Sequence, residues 1–389
     1  MGLFATALFA ASCNTKSDSN FEFYHYSDDE YSLISEKLTL PKFPPKYDAK
    51  LPEHLTRFGL SSPTVKQDMA TLGRVLFYDK TLSSDKQVSC ASCHKQEIGF
   101  SDDRSVSIGV EGRQGTRNSI ALSSVANFAA YYGQDLNGPA GIPFFWDNRA
   151  STAAAQNIGS MTNPLEMNMQ DHEIAAAVKS QPFYAPLFKK AFDDETITTA
   201  RISEAIAAFV NAMGSYQSRF DQAANANLAK QSQFTAPEYL SDFADFSPAE
   251  NAGKAIYMEN CASCHSTSFG RPAKFFSNNG LDEVTTDKGV GAISFNSSEM
   301  GSFKVPTLRN IAITAPYMHD GRFATIEDVV EHYSHGVKSH PNLGTELLIN
   351  GSPRQMNFTP GQKDNLIAFL NTLTDDVFKN DERFSNPFK

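Results

Sequence analysis

The 389-residue chain is short of several things, and each shortage narrows what it does. Beyond its first dozen residues, no stretch reaches the ~18 apolar residues that a membrane-spanning helix needs. Basic residues are outnumbered, 34 Lys and Arg against 44 Asp and Glu. The resulting net charge of −10 argues against nucleic acid as a partner. Alternating strand patterns are few and short, so the fold is expected to be mainly α. The apolar fraction, 41%, is slightly low for a globular chain. There is one tryptophan, Trp146, and there are five cysteines.

Four of those cysteines fall in a pattern. Cys-Ala-Ser-Cys-His occurs twice, at 90–94 and at 261–265. C-x-x-C-H is the attachment signature of a c-type haem, in which two thiols become thioethers and the His ligates the iron. Cys90, Cys93 and His94 are therefore expected to hold one haem, and Cys261, Cys264 and His265 a second. The competing reading is a zinc site made of four cysteines. Zinc knuckles rarely carry His after both pairs, and these pairs lie about 170 residues apart, far beyond a zinc-ribbon gap. Two macrocycles would also supply the apolar core that the composition lacks.

The fifth cysteine, Cys13, follows a short apolar stretch and Ala11-Ser12. This resembles a bacterial lipoprotein signal over residues 1–20, with Cys13 lipidated. A free thiol is the plainer alternative. Covalent c-type haem is normally attached outside the cytoplasm, so the expected location is the periplasm, tethered by a lipid. Residues 21–51, polar and carrying Pro41, Pro44 and Pro45, read as a linker. A first domain is expected over 52–242 and a second over 246–380, joined by the Ala-, Asn-, Gln- and Ser-rich stretch at 223–244.

Helix signals support this division. Ser247-Pro248-Ala249-Glu250 is a capping box with Pro at the first helical position, and Thr359-Pro360-Gly361-Gln362 repeats it. Met69, Leu72, Val75 and Leu76 mark a helix before the first haem motif, and Ile202, Ile206, Phe209 and Val210 mark another. The halves also repeat in order. Gly73-Arg74 precedes the first motif and Gly253-Lys254 the second. Arg117-Asn118 and Trp146-Asp147-Asn148-Arg149 follow the first; Arg309-Asn310 and His319-Asp320-Gly321-Arg322 follow the second. The expected architecture is two cytochrome c-type domains arising from a duplication, each binding one covalent haem.

Further motifs carry a resemblance. Leu-Gly-Arg-Val-Leu-Phe at 72–77, Gly99-Phe100, Phe145-Trp146-Asp147, Asn-Pro-Leu-Glu-Met at 163–167, Pro-Thr-Leu-Arg-Asn at 306–310 and Pro-Tyr-Met-His-Asp-Gly at 316–321 stand in sequence. In this the chain resembles the bacterial di-haem cytochrome c peroxidases and their MauG-type relatives, over about residues 72–373. The resemblance implies a peroxidatic haem in the first domain and an electron-transfer haem in the second. It implies hydrogen peroxide as substrate, a small cytochrome c or blue-copper protein as donor, and a homodimer as one arrangement. Glu166 falls on the family's catalytic acid–base, Gln156 on a distal Gln that helps hold peroxide, and Trp146 on a residue between the haems. Alone, Glu166 would read as a solvated acid, Gln156 as helix surface and Trp146 as core. One calcium ion is implied too, on Asn118, Thr314 and Pro316.

Two departures from the commoner pattern matter. Val110 stands where many members have a His that caps the first iron, so that haem is expected to be open. Tyr333 stands where typical peroxidases place the Met ligand of the second haem. A Tyr there is a MauG-type feature, and phenolate favours higher iron oxidation states. His332, His335, Met318 and Met356 are alternative ligands. His319, Arg117, Arg309 and Arg322 are candidates to face the haem propionates, or are plain structural polar residues. The expected activity is reduction of hydrogen peroxide to water. The alternatives are a MauG-like oxidase that modifies a partner protein through a high-valent iron state, and a non-catalytic di-haem electron carrier.

Overall fold

A computed structural model describes residues 25–57, 59–61, 64–125, 144–231 and 239–389. The signal expected at 1–20, with Cys13, lies outside them. The fold is mainly helical, and its strands are two-residue pairs. No helix among the described residues is long and apolar enough to cross a membrane.

Each half is organised around one crossing pair of helices. In the first half Gln67–Tyr78 packs on Thr199–Ala212; in the second, Pro248–Asn260 packs on Pro360–Asn371. Both second-half helices start on the expected capping boxes. Ser247 Oγ accepts from Glu250 N–H at 3.2 Å, and Glu250 accepts from Ser247 N–H at 2.8 Å. Thr359 and Gln362 make the same exchange.

The duplication shows at the crossing points. A Cβ on Gly73 would overlap the Ala205 carbonyl and stand 2.9 Å from Phe209 Cβ. A Cβ on Gly253 would overlap the Asn365 carbonyl and stand 2.9 Å from Phe369 Cβ. In both halves glycine lets a helix backbone reach its partner directly, and a Phe packs beside it. The next residue is a buried cation in each copy. Arg74 donates to the Ser385 carbonyl at 2.7 Å, and Lys254 to the Tyr239 carbonyl at 2.8 Å.

The segment expected as a linker is not one where it is described. Asp28–Lys37 is helical, capped by a Ser27–Glu30 box, and Tyr26, Ile34, Leu38, Leu40 and Tyr47 are buried in the first core. The chain's other end joins them. Phe378 and Phe384 belong to the same core, Phe388 packs against it, and Thr39 N–H donates to the Pro387 carbonyl at 2.7 Å. The expected connector at 223–244 is also structural. Arg219–Leu228 is a helix whose Phe220, Ala223 and Ala224 lie in the second core with Tyr239 and Phe243. The second core therefore begins well before residue 246. The end of the 246–380 segment crosses to the first core.

Candidate functional site: two cavities and the wall between them

Two cavities of similar size lie side by side, about 230 Å³ and about 210 Å³. Cys90, Cys93 and His94 line the first; Cys261, Cys264 and His265 line the second. The two cysteine pairs thus open into different cavities and cannot share one zinc ion. Among the described residues no cluster of three or more His, Cys, Asp or Glu is placed to hold a metal by itself.

The local geometry suits a covalent haem in each. His94 Nδ1 lies 2.9 Å from the Phe100 carbonyl, and His265 Nδ1 lies 3.1 Å from the Pro306 carbonyl. A carbonyl only accepts, so each Nδ1 carries the proton and each Nε2 keeps its lone pair for iron. Burial lowers the pKa of both imidazoles, His265 to about 4, which keeps them neutral as ligation requires. Burial pushes the thiols of Cys90 and Cys261 up to about 12 and that of Cys93 to about 11. They are therefore uncharged in their sites, and thioether formation buries no extra charge. The first cavity also holds an orphan donor. Ser123 is fully buried, and among the described residues its hydroxyl has no partner. An anionic or carbonyl group of a bound molecule would satisfy it.

The first cavity contains a connected set of proton-bearing groups. Asn163 Nδ2 donates to Glu166 Oε1 at 2.7 Å, and Gln156 Nε2 donates to Ser160 Oγ at 2.9 Å. Ser160 in turn hydrogen-bonds the Glu166 carboxylate. Gln156 and Ser160 are four residues apart on one face of the Ala153–Thr162 helix, whose end turns through Asn163 to present Glu166. Burial raises the Glu166 pKa, and the bonds from Ser160 and Asn163 and the charge of Arg149 oppose the rise only in part. Ser160, Asn163 and Arg149 belong to the site although sequence reasoning gave them no role. The i, i+4 spacing from Gln156 to Ser160 was the available signal.

Val110 stands in the first core, fully buried, and its N–H donates to the Glu166 carbonyl at 2.8 Å. The cavity wall at this point is Gly109, whose Cβ would overlap the Leu165 carbonyl. This hairpin thus braces the Glu166 turn and brings no side-chain ligand to the cavity.

Trp146 lines both cavities, and its indole N–H donates to the Asn118 carbonyl at 2.8 Å. Asn118 N–H donates to the His319 carbonyl at 2.8 Å. His319 is stacked on Phe303, ring centres 3.6 Å apart. Asn118, Thr314 and Pro316 all line the second cavity, and the Asn118 amide nitrogen donates to the Arg104 carbonyl at 3.0 Å, which leaves its oxygen for another partner.

Tyr333 lines the second cavity from a one-turn π-helix, His332–Gly336. Burial pushes its phenol up to about 12. Met318 and Met356 line the same cavity. His332 and His335 do not. His332 Nε2 donates to the Asn279 carbonyl at 3.0 Å, and His335 is exposed beside Glu331. The arginines considered for propionates are engaged elsewhere. Arg309 is buried and pairs in bidentate fashion with Asp221 at 2.8 and 2.9 Å; Arg322 pairs with Asp282 and Asp320; Arg117 pairs with Asp287 and Asp147.

Comparison with known proteins agrees with this geometry. The family model described as di-haem cytochrome c peroxidase matches residues 67–229, and the cytochrome c model matches residues 250–374. A methylamine utilization protein MauG from Methylorubrum extorquens is 33% identical over 316 residues, 80% of each chain. A cytochrome c551 peroxidase from Nitrosomonas europaea is 32% identical over 317 residues, 79% of this chain and 80% of its own. The crystal structure of a MauG-like protein associated with microbial copper homeostasis aligns with a TM-score of 0.65 at 30% identity, over 90% of this chain and 98% of that one.

Proposed function

Since the chain belongs to the di-haem cytochrome c peroxidase family, MauG proteins included, we propose that it reduces hydrogen peroxide to water with electrons from a small cytochrome c or blue-copper protein. The observation that carries this is Glu166: a half-buried carboxyl of raised pKa in the same cavity as Cys90, Cys93 and His94. The bound haems would supply redox-active iron, one for peroxide and one for electron entry and storage.

The chain's own residues do the rest. His94 and His265 offer Nε2 to the irons, fixed by their Nδ1 bonds. Each peroxide consumes two protons and two electrons and yields two waters. Heterolysis of the O–O bond needs a proton moved from the near oxygen to the far one, and the Glu166 carboxylate is the base that takes it and the acid that returns it. Asn163 holds one carboxyl oxygen, while Gln156 and Ser160 extend the hydrogen-bonded row along the cavity wall. Trp146 would assist electron passage between the cavities that it lines.

Tyr333 favours a second reading, a MauG-like oxidase acting on a partner protein, because phenolate ligation of the second haem would stabilise oxidised iron. Calcium at Asn118, Thr314 and Pro316, a periplasmic location, lipidation of Cys13 and a homodimer complete the proposal. One experiment separates the readings. Stoichiometric peroxide is added to the di-ferric protein with and without reduced cytochrome c. Rapid donor oxidation supports the peroxidase. A long-lived oxidised species that ignores the donor supports the partner-modifying oxidase. No spectral response to peroxide would leave an electron carrier.

A further inference from the structure

Asn279 lines the second cavity and touches two of the side chains that could ligate its iron, Met318 and Tyr333. Its Nδ2 donates to Met318 Sδ at 3.4 Å, and its side chain also hydrogen-bonds the Tyr333 phenol. A thioether sulfur only accepts, so the contact with Met318 fixes which end of the amide is nitrogen. That nitrogen carries two protons. One goes to the sulfur and the other serves the phenol oxygen. The backbone around Asn279 is pinned on both sides. Its carbonyl accepts from His332 Nε2 at 3.0 Å, which ties it to the residue preceding Tyr333 in the one-turn π-helix. Gly280 N–H donates to Asn278 Oδ1 at 2.9 Å. The Gly280 carbonyl accepts from Lys338 N–H and the Asn278 carbonyl from Gly344 N–H, both at 2.9 Å. The fold itself therefore sets where this amide points.

We infer that Asn279 is a positioning residue for the second haem: its amide N–H donates to the Tyr333 oxygen that meets the iron, with Met318 as the anchor that keeps the amide turned that way. A hydrogen bond to a phenolate oxygen draws electron density from it, so the oxygen gives less to the iron. An anionic ligand stabilises ferric iron more than ferrous. The bond therefore keeps the second haem's reduction potential above the value that an unbonded phenolate would impose. The inference rests on ligation by Tyr333 but not on peroxide turnover or on a partner protein.

The test is an absorption spectrum and a potentiometric titration of the mature di-haem protein. Asn279→Leu is close in shape and has no N–H to give. Its phenolate-to-iron band should move to longer wavelength, because a phenolate without its hydrogen bond gives up electrons more readily. The midpoint potential of the second haem should fall while that of the first stays. An unmoved band and potential, a rise at the second haem, or an equal change at both haems overturns the role of Asn279. Should the Leu variant not mature with two haems, Asn279→Ala is measured against the same outcomes. The unaltered protein separates the two possible failures. A phenolate band that is present there but unmoved in the variant removes Asn279 alone. A band that is absent there, with Tyr333→Phe unchanged in spectrum, removes ligation by Tyr333 and this inference with it.

Discussion

Glu166→Gln is the substitution that bears most directly on how the first cavity works. The amide has nearly the shape of the carboxyl, and its oxygen can still accept from Asn163 Nδ2, now 2.7 Å from Oε1. The structural cost is therefore the difference between a charge-assisted and a neutral hydrogen bond, on the order of 1 kcal/mol. The chemical cost is larger, because Gln can neither take nor return a proton. Positioned acid–base groups contribute about 10²- to 10⁴-fold, or roughly 3–5 kcal/mol of barrier. Stopped-flow mixing with excess peroxide and reduced cytochrome c should show a loss of that size while the Soret spectrum and thermal transition stay near wild type. The pH dependence is a second readout. The base form starts the relay, so kcat/KM falls as pH drops through the Glu166 pKa, and burial sets that limb above the ordinary value of 4.5. Asn163→Ala removes a bond that favours the charged form and should move the limb to still higher pH. In Glu166→Gln the limb should vanish. A loss below about tenfold would be too small for acid–base catalysis, and it, or an unmoved acid limb, would refute the assignment.

The remaining predictions concern ligation and packing. With Val110 in the core rather than a His in the cavity, EPR of the fully oxidised protein should contain a high-spin component from the first haem; purely low-spin signals would contradict this. Tyr333→Phe should abolish a phenolate-to-iron absorption of the second haem, and an unchanged spectrum would transfer the ligand role to Met318 or Met356. Gly253→Ala drives a methyl into the Asn365 carbonyl and should destabilise by about 1–3 kcal/mol or more, seen as a lower denaturation midpoint. Gly361→Ala, with nothing within 4 Å of the added atom, is the control that should not.

Locally encoded features were legible in the sequence. A haem motif is five consecutive residues, and a capping box is four. Both are read by chemistry that acts within one turn, and the boxes at Ser247 and Thr359 stand where they were expected. The glycine pair was visible as a repeated Gly-cation step, although only the structure shows what each glycine touches. The misreadings are all long-range. Tyr26, Ile34 and Leu38 are sparse among polar residues and are followed by Pro41, Pro44 and Pro45, so the segment looked like a linker until its partners at 378–388 were in view. For Arg309 the motif left a propionate partner and a structural role both open, and its pairing with Asp221, 88 residues away, could be read from neither.

The return of the C-terminal tail to the first core has a consequence for how the protein is made. The ribosome finishes the second core's two crossing helices before it delivers Phe384 and Phe388 to the first. The first half, although encoded first, is therefore the last to close. A chain exported from its first residue onward would likewise lack one wall of that core until residues 378–388 had crossed, which would leave Cys90 and Cys93 open to haem attachment. Nonsense mutations at or just before Phe378 would damage the domain farthest from them in sequence more than the one they adjoin.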